Sequence, residues 1–82
     1  MKTIVTNLMK SAIAEFPGVE IRYIGENENE NDIDVMFKIW NVTDFRAFRA
    51  HIANAAAEHN MTASFDYQIG AIRGIITFKH NA

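Results

Sequence analysis

The sequence contains no cysteine, and it also lacks the short motifs on which most catalytic and metal sites depend. Without cysteine there are no disulfide bonds, thiolate nucleophiles or cysteine-ligated zinc sites. The chain has no Gly-rich phosphate loop, no nucleophile elbow and no pair of carboxylates at a catalytic spacing. We therefore expect no catalytic residues, no metal site and no cofactor, and we expect that the protein is not an enzyme.

Long apolar runs and a large excess of one charge are also absent. No run approaches the roughly 20 apolar residues of a membrane span, and the first residues lack the apolar core of a signal peptide. The chain has 8 basic and 10 acidic residues and a formal net charge of −2, whereas nucleic-acid-binding domains are usually clearly basic. These absences predict a cytoplasmic protein without membrane contact, and they favour a protein partner over nucleic acid.

The residues that are present predict two helices in a single domain. The 82 residues are 49% hydrophobic, which suits one domain over residues 1–82. Apolar residues spaced three and four apart predict a first helix over residues 3–16, capped by Thr3 or Thr6. A second set of apolar residues with the same spacing predicts a second helix. Thr43 would cap its start, and Asn60 would end it in a left-handed conformation.

Alternating apolar residues predict the first two strands. The alternation in residues 19–23 and 33–40 has a period of two, and it places the apolar side chains, Tyr23 among them, on one side. We expect Ile24 on the opposite face and residues 25–32 as the connection. The register that sends both apolar sets to one side pairs Glu20 with Lys38.

Residues 61–80 predict a second hairpin. Its turn begins at Gly70 and has two residues with Gly first, the chemistry of a type II′ turn, in which only Gly takes the required positive φ readily. The register that follows pairs Tyr67 with Gly74 and Phe65 with Ile76.

The element order αββαββ predicts a two-layer α+β sandwich. Each helix and strand has one apolar face, so both helices should cover the same face of a four-stranded, antiparallel-rich sheet. The second and fourth strands are the most apolar and suit the centre, which gives the strand order 3-4-2-1. A ferredoxin-like βαββαβ sandwich has this arrangement when its first strand is moved to the C terminus. The likeness is one of geometry, because no family signature occurs in the chain.

The outer face of this sheet, which the helices leave uncovered, is the first candidate contact surface. It combines apolar residues with a cationic rim, and two interpretations are open: a contact surface, or scattered apolar residues with Trp40 folded over the helix edge. The residues expected to form the surface are Trp40, Met36, Lys38, Ile75, Arg73 and Lys79.

An acidic hairpin loop is the second candidate. It lacks the Gly and Glu that a calcium loop of the EF-hand type requires at fixed positions. We interpret it as a solvated loop or as an acidic projection that meets a basic partner. Its acidic residues are Glu26, Glu28, Glu30 and Asp32.

The sequence therefore predicts a non-enzymatic protein-interaction domain, a regulator, adaptor or inhibitor, that binds a protein partner or forms a homodimer. One alternative is a small dimeric ferredoxin-like enzyme or ligand-binding domain with a pocket near His59 and Tyr67. A second alternative is a single-stranded nucleic-acid binder that uses Trp40 and the basic residues of the sheet face.

Overall fold

The computed structural model describes residues 1–27, 31–40, 45–67 and 73–81. Within these ranges the chain forms two helices and four strands in the predicted αββαββ order. Their bounds are α1 Lys2–Glu15, β1 Val19–Glu26, β2 Ile33–Ile39, α2 Phe45–Glu58, β3 Met61–Tyr67 and β4 Arg73–His80. The turn predicted at Gly70 and the helix cap predicted at Thr43 lie outside the described residues.

The four strands form one antiparallel sheet in the order β1-β2-β4-β3. Read from the β3 edge, this is the order 3-4-2-1, so the two most apolar strands occupy the centre. If β4 stood at the start of the chain, the element order would be βαββαβ and the sheet neighbours would be those of a ferredoxin-like sandwich. The molecule is the predicted two-layer α+β sandwich, with both helices packed on the inner face of the sheet.

The register within each hairpin follows the alternation of the sequence. A slip of one residue would turn every side chain of a strand to the opposite face, so a strand with one buried face has a strongly preferred register. The predicted pairs present in the sheet are Glu20 with Lys38, Tyr67 with Gly74, and Phe65 with Ile76.

The hydrophobic core fills the space between the helices and the inner sheet face. Burial of a side chain of the size of Val, Ile, Met or Phe contributes about 1.5–3 kcal/mol, so this layer supplies much of the stability of the fold. The other sheet face has no covering layer among the described residues. The largest fully buried side chains are Phe48, Phe78, Met9, Ile33, Ile39, Ile52, Ile76, Val5 and Val35.

A β-bulge at Arg22 changes which residues of β1 face outward. The pairing with β2 passes from Ile21 directly to Tyr23, so Arg22 is the extra residue. An extra residue reverses the alternation beyond it, because successive side chains of a strand point to opposite faces. The prediction for this end of β1 was therefore wrong: Tyr23 faces outward and is 53% exposed, and Ile24 packs against the core.

The helix ends show one wrong and one confirmed prediction. Helix α1 begins at Lys2, with Met1 as the cap residue and no side-chain cap bond, so the assignment of Thr3 or Thr6 as the cap was wrong. The Thr6 hydroxyl lies one turn inside the helix and donates to the Lys2 carbonyl at 2.8 Å. Asn60 follows α2 with φ 57°, which is the predicted left-handed end. No helix in the described ranges has the length and apolar content to span a membrane.

Candidate functional site

A row of apolar side chains crosses the middle of the outer sheet face. Tyr23 lies opposite Met36, and Met36 lies opposite Ile75 on the next strand. Side chains directly opposite one another on neighbouring strands are about 5 Å apart, so these three form one contiguous strip, called here the apolar row. Met36 is 45% exposed and Ile75 is half-buried. The row is therefore accessible to a partner.

Gly25 gives the Tyr23 ring its position in the apolar row. The two residues lie two apart on the same strand and share the outer face. A Cβ added at Gly25 would collide with the Tyr23 ring, so the ring occupies the space above the glycine. Gly25 is buried while Tyr23 remains more than half exposed. One side of the ring therefore covers strand backbone, and the other faces solvent.

Trp40 stands just beyond β2 at one end of the outer face. Its backbone N–H donates to the Gly18 carbonyl at 2.8 Å, which fixes the chain at this point. The Lys38 Nζ lies 3.8 Å from the centroid of the Trp40 ring, a cation–π contact of about 0.5–1 kcal/mol at an exposed site. Since Trp40 is 63% exposed, its ring packs on the outer-face lysine and presents a large apolar surface to solvent.

Three cations lie between Trp40 and the apolar row. Arg22 is paired with Glu20, with Nη1 and Oε2 3.2 Å apart. Lys38 and Arg73 are directly opposite each other on β2 and β4, and Arg73 forms no ion pair with any residue in the described ranges. Like charges in this relation destabilise a sheet. An anion supplied from outside would relieve this repulsion.

An open depression of about 460 Å³ joins the cations to the apolar row. Met36 and Ile75 supply apolar surface, and among the described residues Asp66 is the single acidic one that lines the depression. The depression offers an apolar surface beside a positive one. The outer-face side chains along it are those of Arg22, Met36, Lys38, Asp66, Arg73 and Ile75.

The opposite end of the outer face is neutralised by its own residues. The Lys79 Nζ lies 3.8 Å from the Asp32 Oδ2. The Asp34 Oδ1 accepts hydrogen bonds from the Thr77 hydroxyl at 2.8 Å and from the Asn27 side-chain amide at 3.4 Å. Lys79, which the sequence placed on the same rim as the other cations, is therefore at the far end of β4 and beside an acid.

The acidic hairpin loop is described only at its two ends. Glu26 is exposed, whereas Asp32 is only 7% exposed. The Asn27 N–H donates to the Asp32 carbonyl at 3.2 Å, which closes the base of the loop. Asp32 therefore does not project from the molecule. Glu28 and Glu30 lie outside the described residues.

His59 and Tyr67, the two residues named for the alternative pocket, lie at opposite ends of β3. His59 is exposed and follows α2, just before β3 begins, whereas Tyr67 is the last residue of β3. A seven-residue strand separates its ends by about 20 Å, so the two side chains cannot line one small pocket. The Tyr67 ring instead contacts Phe45, with centroids 4.5 Å apart. In the part of the chain that the structure describes, no three His, Asp or Glu side chains are arranged to hold a metal ion.

Tyr23 is the outer-face residue that the sequence analysis missed. Two features of the sequence indicate its position in retrospect. Ile21 and Ile24 are apolar residues three apart in a strand, and in a regular strand they would face opposite sides. Both can face the core only if one extra residue lies between them. Gly25 then stands two residues after Tyr23, where a strand glycine leaves room for a ring.

In comparisons with known proteins, the chain matches no protein-family model and no curated protein sequence. The class of the molecule is therefore defined by its own geometry. It is an α+β sandwich whose outer sheet face carries aromatic, aliphatic and cationic side chains side by side.

Proposed function

We propose that this protein is a small non-enzymatic interaction domain that binds another protein through its outer sheet face and so acts as a regulator, adaptor or inhibitor. The observation that carries the proposal is the exposed apolar row with Trp40 beside it. The helices cover only the inner face, so these side chains contribute to no core. Contiguous exposed apolar surface with a polar rim is typical of contact sites.

The residue types on this surface also favour protein contact. Trp and Tyr carry a large share of the binding energy at protein interfaces, and Met and Arg are enriched there. Met has an unbranched side chain that adapts to different partner shapes. Trp40 and Met36 would therefore be the main anchors, with Lys38 and Arg73 at the rim.

Affinity capture from a cytosolic lysate tests the proposal, because the sequence predicts a cytoplasmic protein. The bait is the tagged protein, the lysate is treated with nuclease, and retained proteins are quantified by mass spectrometry. Trp40→Ala removes the most exposed anchor, and Ile4→Ala is the matched control, since Ile4 is 40% exposed in helix α1 of the other layer.

We expect that at least one lysate protein is retained by the wild-type and Ile4→Ala baits and is lost from the Trp40→Ala bait. Truncation of an aromatic residue that dominates an interface typically costs 2 kcal/mol or more, which is about 30-fold in affinity. Equal retention by all three baits, or equal loss from both variants, would contradict a sheet-face contact.

A second candidate function is binding of single-stranded nucleic acid, and the outward position of Tyr23 favours it. Tyr23 and Trp40 are two exposed aromatic rings on one sheet face, and bases stack on such rings. Acidic residues on the same face, among them Asp66, weaken this alternative. Capture without nuclease tests it: nucleic acid retained by wild type and lost by Trp40→Ala would support this function.

A further inference from the structure

We infer that the outer face takes an extended peptide segment of the partner in which a large apolar side chain stands two residues from a carboxylate. This inference rests on the proposed function, and it specifies the chemistry of the partner. It is drawn from the juxtaposition of two pairs of residues on the central strands β2 and β4.

The first pair requires an anion. Glu20 lies opposite Lys38 on β1 but is paired with Arg22. Lys38 and Arg73 are cross-strand neighbours with the same charge, a relation that is unfavourable in a sheet. A carboxylate placed between them would form charge-assisted hydrogen bonds, which are among the stronger ones in proteins. The repulsion in the free protein thus becomes an attraction in the complex.

The second pair requires an apolar group at a defined distance from that anion. Met36 lies two residues before Lys38, and Ile75 lies two residues after Arg73, so the apolar pair is directly beside the cationic pair. Two residues of a strand span about 7 Å. An extended peptide aligned with β2 has the same spacing between alternate side chains, so an apolar residue on Met36 and Ile75 places a carboxylate two positions away on the cations.

The charges around the site favour a peptide over a run of phosphates. A single-stranded nucleic acid that continued along β2 past Met36 would bring its phosphates to Asp34. One that crossed the sheet would bring them to Asp66 or Glu20. Each like-charge encounter is unfavourable. A peptide with one carboxylate between Lys38 and Arg73 stays clear of Asp34, and the neighbouring Glu20 is already paired with Arg22.

A second copy of the chain fits the site less well. If two sheet faces packed about a two-fold axis parallel to the strands, Lys38 of each copy would lie against Arg73 of the other. An axis perpendicular to the strands and along the apolar row would place Asp66 against its own copy. The first arrangement opposes like charges at two positions. The second opposes the two Asp66 carboxylates, while it sets Lys38 of each copy against Asp34 of the other.

Selection from a displayed library of random octapeptides tests the inference. Wild type is compared with Arg73→Gln and with Arg46→Gln, a matched loss of one exposed arginine on helix α2. We expect wild type and Arg46→Gln to enrich peptides with a large apolar residue two positions from Asp or Glu, and Arg73→Gln to lose this enrichment.

Binding of a single peptide is then mapped by NMR. The probe is the heptapeptide Gly-Ser-Leu-Ser-Glu-Ser-Gly, and the control replaces its Glu with Lys. We expect changes in amide chemical shift centred on Met36, Lys38, Arg73 and Ile75. The peptide should bind Arg73→Gln at least about fivefold more weakly, since the ion pair between its carboxylate and Arg73 is lost. The urea midpoint of Arg73→Gln should equal or exceed that of wild type, because the repulsion with Lys38 is removed, so lost binding cannot be attributed to unfolding.

Four results would overturn the inference. The first is an enriched consensus that lacks an acid two positions from the apolar residue, or a consensus with that acid that Arg73→Gln also enriches. The second is tighter binding of octathymidylate than of the acidic peptide, which would assign the face to nucleic acid. The third is a stable dimer by sedimentation that Met36→Asp dissociates, which would make a second copy the occupant. The fourth is capture of a partner whose binding depends on Trp40 but not on Arg73, a result that would leave the proposed function standing.

Discussion

The space around Gly74 gives a sharp prediction about the stability of the sheet. A Cβ at this position would lie 2.7 Å from the Asp66 carbonyl oxygen, 2.8 Å from the Tyr67 Cβ and 2.9 Å from the Phe37 Cζ. Two of these atoms belong to or are fixed by the backbone of β3, so they cannot move aside without shifting that strand. Gly74 is therefore required by close packing between β3, β4 and the Phe37 ring.

Gly74→Ala should lower the free energy of unfolding by about 1–2 kcal/mol. Overpacking of a tight site costs about 1–3 kcal/mol, and the reduced freedom of the unfolded chain returns about 0.4–1 kcal/mol. For a domain of this size, each kcal/mol lowers the melting temperature by about 4–8 °C. Urea unfolding followed by far-ultraviolet circular dichroism measures the change.

Gly25→Ala is the matched control for this prediction. The three atoms nearest to a Cβ added at Gly25 all belong to the ring of Tyr23, which can rotate away because it is an exposed side chain. We expect a loss below about 1 kcal/mol, because the entropy gain offsets the displaced contact. A Gly74→Ala variant as stable as wild type, or a larger loss at Gly25 than at Gly74, would refute the packing argument.

Three further tests, made with four variants, address separate parts of the fold. Phe48→Ala should lower the free energy of unfolding by about 3–5 kcal/mol, because the ring is fully buried; a loss below 1 kcal/mol in urea unfolding would show that the helix α2 contact is wrong. Asn60→Gly should be neutral or stabilising, and Asn60→Val should cost about 1–2 kcal/mol, since φ is 57°; equal melting temperatures would argue against the left-handed end. Deletion of Arg22 should keep the sheet, with NMR contacts between Ile24 and Val35 retained, because the bulge residue has no partner on β2; an unfolded product would contradict the bulge.

The alternation of β3 and β4 predicted their pairing down to individual residues. A two-residue turn leaves little choice of register, so Phe65 had to face Ile76 and Tyr67 had to face Gly74. The alternation alone, which left neighbouring registers open, placed Glu20 opposite Lys38. It failed beyond Ile21, because an inserted residue changes the face of everything that follows it on the strand.

The candidate surface was predicted in composition but not in arrangement. Met36 and Ile75 were expected to be neighbours if the strand order was right, and they are directly opposite each other. The position of Lys79 beside Asp32, away from Lys38 and Arg73, depends on where each residue falls along β4. The outward turn of Tyr23 added an aromatic ring that the alternating pattern had assigned to the core.

The sequence by itself determined which segments are helices and strands, which side of most of them is buried, and how β3 pairs with β4, because these follow from local periodicity and from a short predicted turn. Only the tertiary structure decided the bulge at Arg22 and the register between β2 and β4. No short turn connects β2 to β4, and Ile24 is placed on the core side only by the inserted residue. The opposition of Lys38 and Arg73 beside an apolar pair is a product of that long-range register, and so the most specific part of the candidate site exists only in the folded chain.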